Sequence, residues 1–120
     1  MQEFMLFIRT EGDPWQVLSP EQMQLHIQKG ANYIGNLMKQ GKLKGAQPLD
    51  ATGTIIGDVG GILKDGPFNE TKEVIAGYFH IVANDIEEAK EIAKANPIFE
   101  DKLKARIEVR PIRIVEGIND

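Results

Sequence analysis

The order in which helical and strand periodicities alternate constrains this chain more than any other feature of its sequence. Phe4-Met5-Leu6-Phe7-Ile8 is an unbroken apolar run between Glu3 and Arg9, as in a strand buried on both faces or a central strand paired on both sides. Glu11-Gly12-Asp13-Pro14 supplies turn chemistry. Ser19-Pro20-Glu21-Gln22 then opens a helix, with Ser as N-cap, Pro at the first helical position and Gln22 at the capping-box position. Along that helix Met23, Ile27, Ala31, Ile34, Leu37 and Met38 fall in a stripe about 120° wide, which must pack on a sheet or another helix. Gly41 is placed to cap its C-terminus.

Leu43 to Leu49 and Thr54 to Ile56, separated by Asp50-Ala51-Thr52-Gly53, are expected to pair as a hairpin. Gly57-Asp58-Val59-Gly60-Gly61 lacks the lysine and hydroxyl spacing of a phosphate loop and opens no helix, so it reads as a hairpin tip. Gly77-Tyr78-Phe79-His80-Ile81-Val82-Ala83 has strand composition. Asn84 or Asp85 can cap a short helix with Glu87 and Glu88 in its first turn and Ala89, Ile92 and Ala93 along one side; Pro97 ends it. Arg106-Ile107-Glu108-Val109-Arg110 alternates as a strand with one apolar face, continuing towards Ile114 and Val115, and Pro111 suits an edge.

At its coarsest the order is strand, helix, strand, strand, helix, strand. That is the ferredoxin-like βαββαβ arrangement of an α+β domain, with a four-stranded antiparallel sheet and two helices on one face. The other sheet face then needs a partner, a ligand or a polar surface. The 120 residues fit one domain spanning 1–120.

Composition narrows the function classes. There is no cysteine, which excludes disulfides, thiolate nucleophiles and cysteine-ligated metals and suits a cytoplasmic location. The net charge of -4 and the mixed signs provide no concentrated basic field, so no nucleic-acid partner is expected. No signal segment or bilayer-length apolar run is visible, so no membrane partner is expected either. The two histidines are far apart and form no metal-ligand spacing, so neither metal nor cofactor is expected.

The densest chemistry lies in Lys64-Asp65-Gly66-Pro67-Phe68-Asn69-Glu70-Thr71-Lys72-Glu73. Asp-Gly-Pro is strong turn punctuation, but an apolar Phe68 followed by the charges of Glu70, Lys72 and Glu73 exceeds what a turn requires. The string Asp65-Gly66-Pro67-Phe68, continued by Glu70-Thr71-Lys72-Glu73 and Gly77-Tyr78, resembles the signature of the DGPF branch of the YCII-related family. Glu108-Val109-Arg110-Pro111 is similar to that branch's ending, and the likeness covers nearly the whole chain. The resemblance implies a ferredoxin-like domain that pairs through its open sheet face as a dimeric α/β barrel. It also implies that a histidine on the first helix can pair with an aspartate as a dyad, which makes His26 with Asp65 a candidate pair.

Strand parity places Tyr78, His80 and Val82 on one face, and Arg106, Glu108 and Arg110 on the same open side. An imidazole beside a carboxylate there can serve as a general base, or equally as a hydrogen-bonded interface histidine next to an Arg–Glu ladder. Two readings stand together. In one, a homodimer binds a small organic molecule in a cavity between sheet and helices, with cofactor-free acid/base chemistry by His80, Asp65, Arg110 and His26, and with Phe68, Glu70, Lys72, Tyr78 and Glu108 shaping the substrate site. In the other, the same homodimer is a non-catalytic interaction or regulatory module. Trp15, near the turn before the first helix, either caps a pocket or covers the core edge.

Overall fold

In the computed structural model, which describes residues 1–66 and 73–119, the first strand β1 (Gln2–Glu11) is central rather than edge-lying. Its neighbours are β5 (Glu73–Ala83) and β6 (Arg106–Pro111), both antiparallel to it, and β2 (Leu43–Pro48) pairs on the far side of β5. The sheet order β2-β5-β1-β6 is the ferredoxin-like order, with β2 and β6 at the edges. Pro111 therefore sits on an edge strand, opposite Phe4, where its missing N–H interrupts no interior ladder. Ile112 adds one more backbone bond to the Glu3 carbonyl at 2.9 Å, but Ile114 and Val115 lie beyond the strand and are exposed.

The long helix α2 (Pro20–Lys39) begins as its sequence indicates. Gln22 N–H donates to Ser19 Oγ at 3.2 Å and the Gln22 side chain accepts from Ser19 N–H at 2.9 Å. Gly41, at φ +69°, closes the other end. Its N–H reaches the Met38 carbonyl and Lys42 N–H reaches the Leu37 carbonyl, each at 3.0 Å, a Schellman motif that answers two orphan carbonyls. A single turn, α1 (Pro14–Val17), precedes it, so the described residues hold three helices where the sequence pattern suggests two. Helix α3 (Ile86–Lys94) is capped by Asp85, whose side chain accepts from Glu88 N–H at 2.8 Å. A 3-10 turn, Pro97–Glu100, follows it.

The hairpin expected between Leu43–Leu49 and Thr54–Ile56 does not form. β2 joins the main sheet, and Ile55–Val59 (β3) pairs instead with Ile62–Gly66 (β4) in a separate two-stranded sheet. The reason is turn geometry. Gly60 and Gly61 have φ of +60° and +85°, the two left-handed positions of a tight hairpin turn whose twist suits antiparallel strands. The glycine stretch is thus a hairpin tip.

Phe4, Leu6 and Ile8 of β1 and Phe79, Ile81 and Ala83 of β5 point to the helical side, where Met23 and Leu37 of α2, and Ala89, Ile92 and Ala93 of α3, cover them. Tyr33 packs edge-on against Phe79, with ring centroids 5.5 Å apart. Its hydroxyl donates to the Ile92 carbonyl, one of the carbonyls that the end of α3 leaves without a helical partner. Burial pushes the Tyr33 phenol up to about 12. The α2 stripe is only partly buried: Ile27 and Met38 are 51% and 63% exposed, and Ile27 with Ala31 faces a cavity instead of the core.

Candidate functional site

The helical side of the domain contains a cavity of about 360 Å³, within the size range of small-molecule sites. Helix α2 supplies one wall through His26, Ile27, Ala31 and Ile34. The end of β2 and the middle of β5 supply another through Pro48, Gly77 and Phe79, and Asn96 to Ile98 close it. Trp15 also lines it, which answers the two roles open to that residue in favour of a pocket wall. The packing at Gly77 is close: a Cβ placed there would stand 2.8 Å from the Gln47 carbonyl oxygen, so only glycine lets β2 lie this near β5.

His26 has one specific partner. Its Nδ1 lies 2.6 Å from Oδ2 of Asp101, with the two side chains 24% and 16% exposed. A carboxylate only accepts, so Nδ1 carries the proton of this bond, and in the neutral ring Nε2 is the basic nitrogen. Lys29 Nζ bridges to Glu100 at 3.1 Å, so two adjacent contacts tie α2 to the 3-10 turn. That turn is itself started by Asn96, whose Oδ1 accepts from Ile98 N–H at 2.9 Å.

The open sheet face carries a second set of charged groups. β1 sets Met5 between His80 and Arg110, and Phe7 between Tyr78 and Glu108, so the two rows cross three strands. His80 and Arg110 are therefore two strand spacings apart, roughly 10 Å. His80 Nε2 lies 2.7 Å from Glu3 Oε1, and Lys44 Nζ approaches the same oxygen at 3.3 Å. The hydrogen bond from His80, then that from Lys44, holds the Glu3 carboxyl below the usual carboxylate range. Glu108 accepts from Arg9 at 3.1 Å and lies 3.5 Å from Arg110, while Arg106 pairs with Glu73.

Strand parity thus correctly groups Tyr78, His80, Arg106, Glu108 and Arg110 on the open side. The structure does not bring Asp65 to any of the histidines. Asp65 lies on β4 opposite Ile56, and none of the described hydrogen bonds or ion pairs joins it to His26, His80 or Arg110. The carboxylate that meets His26 is Asp101. Phe68, Glu70 and Lys72 lie outside the described residues. Asp101 and Asn96 escaped the sequence reading. The one local signal for them is Asn96-Pro97, a turn start that returns the chain beneath α2.

An α+β domain with ferredoxin-like strand order, an apolar cavity on its helical side and a histidine–aspartate pair at the cavity wall defines the class. A family model of the YCII-related domain matches residues 4–113, and the chain belongs to that family. No curated protein matches the chain. No helix among the described residues is long and apolar enough to cross a membrane.

Proposed function

We propose that this YCII-related protein binds a small, largely apolar organic molecule in the cavity beside α2, and that His26, oriented by Asp101, moves a proton on it. The observation that carries this reading is the 2.6 Å His26–Asp101 pair with the imidazole in the wall of an otherwise apolar cavity. In the forward step the ligand's proton passes to Nε2 of His26 and its bonding electron pair stays on the ligand. Asp101 stabilises the imidazolium, which returns the proton to the same or a neighbouring atom. No cofactor is needed for that balance. The open sheet face serves a different purpose in this reading: it pairs with a second copy of the chain. The half-exposed Met5 and Phe7 and the ion pairs that already satisfy His80 and Arg110 suit a contact surface more than a reacting centre.

The test is ligand-induced stabilisation. Binding to the native state alone raises the melting temperature, by several degrees once ligand exceeds its dissociation constant about a hundredfold. A panel of small neutral ketones, esters and aromatic hydrocarbons is expected to contain members that stabilise the wild type and have no effect on Ala31→Trp, which fills the cavity from an exposed helix position. A panel that never shifts the wild type, or one that shifts both proteins equally, overturns the assignment of the cavity.

A further inference from the structure

The cavity wall contains a polar group that the proton-transfer reading does not use. Asn96 is only 6% exposed, and its amide nitrogen Nδ2 is a buried donor without a partner among the described residues. The amide cannot be reversed to relieve this, because its oxygen already accepts from Ile98 N–H at 2.9 Å and the exchange would set donor against donor. Buried donors in native proteins nearly always have an acceptor, and a lone one at the wall of a cavity indicates that the acceptor arrives with a ligand.

We propose that Asn96 is the ligand-recognition residue of this cavity, donating through Nδ2 to a carbonyl oxygen, and that the ligand is accordingly a neutral carbonyl compound with an apolar body. This rests on the reading of the cavity as a ligand site. The neutrality follows from the rest of the wall. Among the described residues no lysine or arginine lines it, and the imidazole of His26 is already matched by Asp101, so a ligand carboxylate would be buried without a counter-charge. The other polar side chain of the wall, Gln47, is exposed, so water competes for it. Trp15 carries an indole N–H but is 65% exposed, so among these neutral donors Asn96 is the one shielded from water, beside Ile27, Ile34 and Phe79. A site of this kind accepts a ketone, ester or amide and discriminates against a molecule of the same shape that lacks the oxygen, because such a molecule leaves the donor unpaired.

Matched pairs test this directly: acetophenone against α-methylstyrene, and 2-acetylnaphthalene against 2-isopropenylnaphthalene, in which a methylene replaces the carbonyl oxygen. Dissociation constants come from NMR titration of the indole N–H of Trp15, the lone tryptophan and a residue of the cavity wall. The wild type is expected to bind the carbonyl member about tenfold more tightly. Asn96→Asp at about pH 8 keeps the oxygen that caps Ile98 N–H but removes the donor; it is expected to lose that preference and still bind the hydrocarbon. If that variant does not fold, Asn96→Gly, a tolerated N-cap residue that likewise has no side-chain donor, is expected to behave in the same way. Equal affinities in the wild type, or a preference that survives in the folded variant, overturn the role of Asn96 and leave the cavity reading standing. Absence of binding by every member of both pairs overturns the cavity reading as well.

Discussion

Replacing Gly77 by alanine tests whether the cavity is built as described, because the effect can be worked from one close approach. The added Cβ would stand 2.8 Å from the Gln47 carbonyl oxygen and 3.3 Å from Pro48 Cα, both backbone atoms of β2. Ordinary contact begins at 3.4 Å, so β2 must retreat by about 0.6 Å. The 2.8 Å bond from Leu49 N–H to the Ala76 carbonyl lies beside that contact and would stretch past good geometry. Overpacking of this kind costs roughly 1–3 kcal/mol and a weakened hydrogen bond about 1 kcal/mol more. The gain from a stiffer unfolded chain returns about 0.4–1 kcal/mol. The net loss is about 1–3 kcal/mol, or roughly 4–12 °C in melting temperature for a domain of this size. Differential scanning calorimetry of wild type and variant measures it. A variant that melts within about 1 °C of the wild type would refute the close seating of β2 against β5 on which the cavity wall depends.

Further expectations follow from the cap of α2 and from two shifted ionisations among the described residues. Ser19→Ala removes one half of the capping box of α2 and is expected to lower stability by about 1 kcal/mol in denaturant titration, with an unchanged slope. The Tyr33 phenol is held above its ordinary value, so the stability it contributes is fully present below about pH 10 and is lost as pH rises towards about 12. Tyr33→Phe, which leaves the Ile92 carbonyl unanswered, should be less stable at neutral pH yet flatter across that alkaline window in melts followed by circular dichroism. Glu3 is shifted the other way, so its contribution is present above about pH 4.5 and fades as pH falls; Glu3→Gln should flatten the acid limb of the stability profile there.

What could be read from the sequence was what short-range chemistry decides. Ser19, Pro20, Gln22 and Gly41 mark both ends of α2 because caps are local, and period-two alternation places His80, Glu108 and Arg110 together because parity holds along any regular strand. The hairpin failed because two strand-like runs on either side of Asp50-Ala51-Thr52-Gly53 look pairable, whereas the positive φ values of Gly60 and Gly61 decide which strands meet. The exposure of Ile27 could not be read either, since an apolar stripe does not distinguish a core from a cavity wall. His26 and Asp101 are 75 positions apart and share no periodicity; they meet only because α2 and the 3-10 turn pack together. Asn96 looks like an ordinary cap in sequence, and its unpaired nitrogen is a property of tertiary packing.

The central claim of the proposed function is that Asp101 fixes the proton on Nδ1 of His26 and leaves Nε2 as its basic nitrogen. Long-range nitrogen–proton NMR of the imidazole, recorded at about pH 8.5 where an ordinary imidazole is neutral, reads the tautomer directly. The account predicts a single tautomer protonated at Nδ1, giving way to a mixture in Asp101→Ala. A wild-type imidazole protonated at Nε2, or one whose tautomer is unchanged when Asp101 is removed, would contradict it.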